Sequence, residues 1–245
     1  MLKAVILAAG MSRRLKPLTD FTPKCLLKAG NKTILGRTLD NLVANTITEV
    51  VMVTGFEEQQ IIRFVTDHYP TINCRFITNT LYNETNNSFS LWLAKDEIVG
   101  HSMLLLDSDI VFEAGIIGRL LESDYHDCLA LNSSHMLGEE EIKVLLDDQK
   151  RVLEISKLVD PVKAAGESIG IELFSEAGVE RLFEILEHRM LAEKRVNEFY
   201  EASFEEMVRN EFNIFAVDIH PYKSMEIDTA EDLKVVNERI VPHIE

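Results

Sequence analysis

Residues 2–8 read LKAVILA, an apolar run broken only at Lys3, as in strands covered on both faces. A loop with Gly10, Pro17 and Pro23 follows, and residues 33–46 then space their apolar side chains along one helix face. The same alternation continues with a strand over 48–55, a helix over 57–69, a strand over 73–79, a helix over 88–99 and a strand over 102–109. Strands and helices trading places at this interval predict a doubly wound, mostly parallel α/β sheet, Rossmann-like, with its ligand crevice at the carboxyl ends of the strands.

Past residue 125 the rhythm changes. Residues 127–134, 140–157 and 167–175 read as successive strands, with Asp147-Asp148-Gln149-Lys150 as a hairpin turn inside the second stretch. Long helical patterns cover 176–195 and 198–210, a late strand 212–219, and a closing helix 229–241 has Thr229 as its N-cap. There is no internal repeat and no Gly/Ser-rich linker. The expectation is one domain over 1–245, with a doubly wound half at 1–125 and an inserted, substrate-facing β/α lobe at 126–245.

Charge sharpens this picture. The chain holds 25 Lys and Arg against 41 Asp and Glu, a net charge of −16. Such a balance argues against nucleic acid or anionic membrane as partner. Yet Lys3, Arg13, Arg14, Lys16, Lys24, Lys28 and Lys32 crowd the first 32 residues beside one acid, Asp20. Cys25, Cys74 and Cys128 have no metal-like spacing and read as buried or half-buried thiols in a reducing cytosol. No apolar run is long enough to span a membrane. The opening run passes straight into Ser12-Arg13-Arg14 and reads as a strand rather than a signal peptide, so the expected location is cytoplasmic.

A buried strand followed by Leu7, Ala8, Ala9 and Gly10 suits a phosphate site: small residues let a ligand approach the backbone, and successive N–H groups form an anion-binding concavity. Arg14 and Lys24 would add charge-assisted contacts; the same cations could also be merely solvated on a loop. Neither GxxxxGK[ST] nor GxGxxG occurs here. The stretch 7–27 resembles the signature LAAGxGTRLxPLTxxxPKxLL of nucleotidyltransferases that make nucleoside-diphosphate sugars and alcohols. It departs at Ser12, for the second glycine, and at Arg13, for a small residue. The resemblance implies attack of an acceptor phosphate on the α-phosphate of a nucleoside triphosphate, with the loop around Gly10 holding the nucleotide. It further implies that Arg14 neutralises the leaving pyrophosphate and Lys24 contacts the reacting phosphates.

Magnesium is the implied cofactor, a hard cation held by one or two carboxylates. Asp107 and Asp109 end an apolar strand, and alternation puts them on one side. The resemblance favours Asp109 as ligand, together with Asp228 in the late Glu226-Ile227-Asp228 segment, although Asp228 before Thr229 also suits a helix cap. Asp107 and Glu226 remain candidate substrate contacts. Lys157 matches the family lysine that meets the acceptor phosphate.

Asn79 and the helix start Asn86, Asn87 and Ser88 resemble the branch that uses CTP to activate phosphocholine, aminoethylphosphonate or inositol phosphate, and they are candidate nucleotide contacts. The same residues cap helices well. The implied partners are CTP and a small phosphorylated or phosphonate acceptor, with no nucleic acid and no membrane insertion; a homodimer is allowed. Trp92 reads as core, and the stretch 139–146 lacks the aromatic residue of phosphocholine-activating relatives. Glu139, Glu140 and Glu141 could meet an amine or hydroxyls, or be solvated. Tyr200 and Glu201 are further acceptor-facing candidates. Two other readings stand beside this one: a sugar-1-phosphate nucleotidyltransferase, and a catalytically silent nucleotide-binding domain.

Overall fold

The computed structural model describes residues 1–134 and 137–244. In chain order, β1 (Leu2–Ala8) leads through two 3-10 turns, Arg13–Leu15 and Lys24–Leu26, to a small hairpin of β2 (Lys28–Ala29) and β3 (Lys32–Thr33). Then come α1 (Ile34–Ala44), β4 (Glu49–Thr54), α2 (Glu58–His68), β5 (Asn73–Thr78), α3 (Asn87–Leu93), α4 (Lys95–Ile98), β6 (Ser102–Asp107), β7 (Ile110–Phe112) and α5 (Gly115–Leu121). The second half holds β8 (Cys128–Asn132), β9 (Lys143–Leu146), β10 (Val152–Ser156), β11 (Gly166–Phe174), α6 (Glu176–Leu191), α7 (Glu201–Arg209), β12 (Phe215–Asp218), β13 (Ser224–Glu226), α8 (Ala230–Arg239) and α9 (Val241–Ile244).

One nine-stranded sheet runs β10-β9-β11-β6-β1-β4-β5, with β8 also paired to β11 and β12 paired to β8. Pairing is parallel from β6 through β1 and β4 to β5, and antiparallel where β11 joins β6. The first half is thus the parallel, doubly wound part, and the strands of the second half extend the sheet from β6 outward.

The apolar run of β1 works on both faces. Val5 and Leu7 pack with Leu91, Phe183 and Phe204 from α3, α6 and α7, while Ala4, Ile6 and Ala8 pack with Leu35, Leu39, Ile61 and Ile117 from α1, α2 and α5. Met103 and Leu105 of β6 join the first layer, Leu104 and Leu106 the second. A third cluster seats α8 beneath the opening loop, joining Leu15, Ala29 and Ile34 to Val111, Ile227 and Val236.

Caps set the helix starts. Thr33 accepts from the Gly36 amide at 3.0 Å and Ser175 from the Gly178 amide at 3.1 Å. Thr229 and Asp232 form a reciprocal capping box on α8, as the N-cap expectation requires. The Asp147–Lys150 turn closes the β9–β10 hairpin, the Asp147 carboxylate accepting from the Gln149 and Arg151 amides. The helix expected over 88–99 is instead two. At Ala94 the ladder tightens to three-residue bonds, Ala94 N–H to Leu91 O and Glu97 N–H to Ala94 O, which separates α3 from α4. Trp92 packs against the first layer, and the three cysteines are unpaired and buried or half-buried. Among the described residues no helix is long and apolar enough to cross a membrane.

Candidate active site

A cavity of about 810 Å³ opens over the carboxyl ends of β1 and β6. On its β1 side lie Leu7, Ala8, Ala9, Gly10, Ser12 and Arg14, with Lys24 and Asp109 at its floor. A Cβ added at Gly10 would meet nothing within 4 Å, so this turn leaves its backbone open to the cavity. Ser12 holds a left-handed conformation, φ 46° and ψ 55°, the region glycine enters freely; its carbonyl accepts from the Leu15 amide at 3.1 Å and the Thr19 hydroxyl at 2.9 Å. The turn geometry therefore persists without the second glycine. Behind the turn, the Phe56 amide donates to the Ala9 carbonyl at 3.1 Å, an approach that Gly55 permits: a Cβ there would stand 2.8 Å from that same oxygen.

Two late residues reach the floor through a short ladder. β13 pairs antiparallel with β7, setting Glu226 opposite Ile110, and the Ile227 amide donates to the Asp109 carbonyl at 3.0 Å. Carboxylate oxygens of Asp109, Glu226 and Asp228 lie within 4.8 Å of one another. The buried Lys24 ammonium sits between two of them, 2.9 Å from Asp109 Oδ2 and 2.9 Å from Asp228 Oδ1. Arg14, more than half exposed, adds a contact of 2.6 Å to Asp228 Oδ2.

The electrostatics follow. Burial works against the Lys24 charge, but Asp109 and Asp228 outweigh it and hold the ammonium above its usual range. Burial likewise opposes the Asp228 charge, and Lys24 and Arg14 overcome it, keeping that carboxyl below its usual range. Glu226 makes no ion pair among the described residues. Loss of hydration beside the cluster, then the charges of Asp109 and Asp228, push it up to about 8 against the opposing charge of Lys24. Asp109 Oδ1 is buried and accepts no hydrogen bond among the described residues. Three clustered carboxylates with an unsatisfied oxygen are a hard-oxygen donor set, which fits a magnesium ion.

The other wall comes from the inserted lobe. Lys157, just past β10, pairs with Glu140 at 3.1 Å and lies 5.3 Å from the centre of the Phe199 ring. The buried Lys143 ammonium donates to the Gly138 and Glu141 carbonyls at 2.9 and 3.2 Å, bracing the loop that carries Glu140 and Glu141. Glu201, the first residue of α7, faces the cavity at 8% exposure with Oε2 unpartnered. Burial, opposed by its own backbone hydrogen bond and by Lys157, pushes it up to about 7.

Several candidates take other positions than the sequence suggests. Tyr200 does not face the acceptor side: as the N-cap of α7 it turns inward and is fully buried, its hydroxyl donating to Asp107 at 3.0 Å. The ring on the wall is its neighbour Phe199. Asp107 lines the cavity, but Tyr200 holds it from behind, and burial with the charges of Asp109, Glu201 and Glu172 raises its carboxyl well above the usual range. Ser88 is buried outside the cavity wall.

Asn79 lines the cavity while its amide ties down the following loop, donating to Thr85 and Ser90 at 3.1 and 3.0 Å and accepting from the Leu81 amide at 2.9 Å. Asn86 caps α3 with its side-chain oxygen, and Asn87 accepts from the Tyr200 amide at 3.0 Å. Their Nδ2 groups have no partner among the described residues, and both residues line the cavity. Tyr82, Phe199, Glu167 and Arg239 also line it and had not been singled out. Only Phe199, one place from Tyr200, stood near a sequence signal.

Comparison with known proteins agrees with this architecture. The model of the MobA-like NTP transferase domain matches residues 4–200. The choline-phosphate cytidylyltransferase of Streptococcus pneumoniae is 23% identical over 240 residues, covering 97% of each chain. The bifunctional IPC transferase and DIPP synthase of Aquifex aeolicus is 27% identical over 241 residues; this chain spans about half of that longer protein, 51%, with 97% of its own length. The fold also matches the inositol-1-phosphate CTP transferase from T. maritima, with a TM-score of 0.81, 18% identity, and 99% and 97% of the two chains covered. A turn open to phosphate at the end of β1, an acid triad assembled by β7 and β13, and these matches together place the chain in the MobA-like NTP transferase domain family, as a nucleotidyltransferase.

Proposed function

We propose that this protein is a cytosolic, magnesium-dependent cytidylyltransferase that joins CTP to a small phosphorylated alcohol or phosphonate and releases pyrophosphate. The observation that carries the reading is the Lys24 ammonium held 2.9 Å from both Asp109 and Asp228, beside the open backbone at Gly10. A site that fixes cations and acids so closely, where a triphosphate can approach, suits stabilising the negative charge that develops on the phosphoryl and leaving oxygens. Relatives with cytidylyltransferase names over nearly the whole chain support the choice of CTP.

Asp109 and Asp228 would hold the magnesium ion, with Glu226 beside them. When bound, the ion supplies charge neutralisation and a template for the triphosphate oxygens. The chain's own residues do the rest. The Ala8–Gly10 backbone receives the triphosphate, and the Asn86 and Asn87 amide nitrogens face the base and ribose. Lys24 meets the α-phosphate and Arg14 the departing pyrophosphate. Lys157 orients the acceptor so that one of its phosphate or phosphonate oxygens attacks the α-phosphorus. The new P–O bond forms in line as the α–β bridging bond breaks, and positioning provides most of the rate.

The test is pyrophosphate release with magnesium, crossing CTP, ATP, GTP, UTP and dTTP with phosphocholine, aminoethylphosphonate, inositol phosphate and several sugar 1-phosphates. Release with CTP and a non-sugar acceptor is the expected result. Release with sugar phosphates alone would make this a sugar-1-phosphate nucleotidyltransferase. Triphosphate binding without release on any acceptor would make it a silent nucleotide-binding domain.

A further inference from the structure

The sheet order divides the cavity. Residues past the ends of β1 and β5 lie on one side of β6, and those leading into β9 and in β11 lie on the other, with Lys157 and the start of α7, whose Phe199 ring lies 5.3 Å from the Lys157 ammonium. The second side is acidic and almost without aromatic rings. Glu140, Glu141, Glu167 and Glu201 line it, and Tyr82 and Phe199 are the aromatic residues of the whole cavity wall among the described residues. Of these acids Glu140 is exposed and answered by Lys157. Glu201 differs: it is 92% buried, lines the cavity, and its Oε2 accepts no hydrogen bond among the described residues.

Resting on the cytidylyltransferase reading above, we propose that Glu201 selects the acceptor, and that the acceptor carries an ammonium group with N–H protons at the end away from its phosphate or phosphonate. A buried carboxylate oxygen without a donor is costly, and an incoming N⁺–H group would satisfy both its charge and its lone pair. Lys157 lies near enough to oppose the effect of burial on Glu201. The two side chains thus offer a cation for the anionic end of a short zwitterion and an anion for its ammonium.

The same wall argues against a quaternary head group. Such a cation has no N–H to give Glu201 and is best held in a cage of rings. Here the Phe199 ring already faces the Lys157 ammonium at 5.3 Å, and Tyr200, the one further ring nearby in sequence, is turned into the core. Neutral polyols and sugars could donate hydrogen bonds to Glu201 but would leave its charge buried and uncompensated.

The test compares 2-aminoethylphosphonate with propylphosphonate, which places a methyl where the first has its ammonium. Both are titrated calorimetrically into the intact protein at pH 8, where Glu201 is ionised and the amine still protonated. The wild-type protein should bind the amino compound at least about tenfold more tightly, and E201Q should shrink that ratio to about threefold or less. Phosphoethanolamine should likewise outcompete phosphocholine. Equal affinities in the wild type, no binding of either phosphonate, or an unchanged ratio in E201Q would overturn the proposal. The wild-type comparison needs no variant, so poor folding of E201Q cannot mask the answer. Discrimination of the amine without pyrophosphate release for any acceptor would uphold the ammonium site while removing the transferase reading. Release with neutral acceptors and no amine preference would do the reverse.

Discussion

The Ile227 amide donates to the Asp109 carbonyl at 3.0 Å, so the backbone itself fixes where the Asp228 carboxylate stands relative to Asp109. Strand register thus brings the acid pair together, and Lys24 then bridges it. Asp109→Asn and Asp228→Asn should leave the β7–β13 ladder in place and lower kcat by about 10²–10³-fold each. Pyrophosphate release, with circular dichroism to verify the fold, checks both; near-wild-type turnover in either variant would remove that acid from the mechanism.

Lys24 has two expected roles that separate on substitution. In Lys24→Met the ammonium no longer competes for Asp109 and Asp228, which then face each other and Glu226 with Arg14, at Asp228, as the remaining counter-charge among the described residues. Turnover should fall by orders of magnitude while divalent-cation affinity rises. Melting temperature against magnesium concentration reads the second effect, with a larger metal-induced increase expected in the variant than in the wild type. Weaker metal stabilisation in Lys24→Met would mean that the lysine helps to build the metal site instead of occupying it.

Stability should fall as pH rises through neutrality. Burial holds Glu201 at about 7 in the folded protein against 4.5 for an exposed glutamate, and it raises Glu172 well above the same value. A raised folded-state pKa means that the native state binds the proton more tightly than the unfolded chain. The Glu201 contribution is thus complete below about 4.5 and lost as pH passes about 7, with a slope of roughly 1.4 kcal/mol per pH unit inside that window. Ligand-free protein should show a declining melting temperature between pH 5 and 8, and E201Q should show a shallower decline. Parallel curves would mean that Glu201 does not titrate in this range.

Gly55 carries a prediction about the nucleotide turn. A Cβ there would lie 2.8 Å from the Ala9 carbonyl and 2.8 Å from the Tyr82 Cβ, and backbone cannot yield as a side chain can. Gly55→Ala should cost about 1–3 kcal/mol of stability and raise KM for CTP by displacing the turn. Denaturant unfolding and steady-state kinetics test the two parts separately; an unchanged KM would show that the turn tolerates the shift.

Much of the fold was legible because both faces of β1 and β6 are covered, which leaves an apolar run that no amphipathic helix would show. Arg14, Lys24, Asp109 and Asp228 were legible through the long motif and the late acidic segment, and the structure brings all four together. The start of α7 was not. Whether Phe199 or Tyr200 faces the cavity depends on where the helix begins, and a one-residue difference turns the side chain from the wall into the core. Ser88 sits off the cavity wall, and Asn79 lines it while tying down the following loop, for a related reason: small polar residues at helix starts and turns serve the backbone as readily as a ligand. Glu201 stood among the candidates, but the burial that leaves its oxygen without a donor depends on how the start of α7 packs, which the sequence does not show.

The β7–β13 ladder has a consequence for synthesis. Lys24 leaves the ribosome 204 residues before Asp228, yet in the finished molecule they are 2.9 Å apart. A nascent chain that stalls past β6 but before residue 228 holds the strands of the parallel core and the open turn at Gly10 while lacking one of the acids that Lys24 bridges. If the proposed mechanism holds, such incomplete copies would fold in part without splitting a nucleotide.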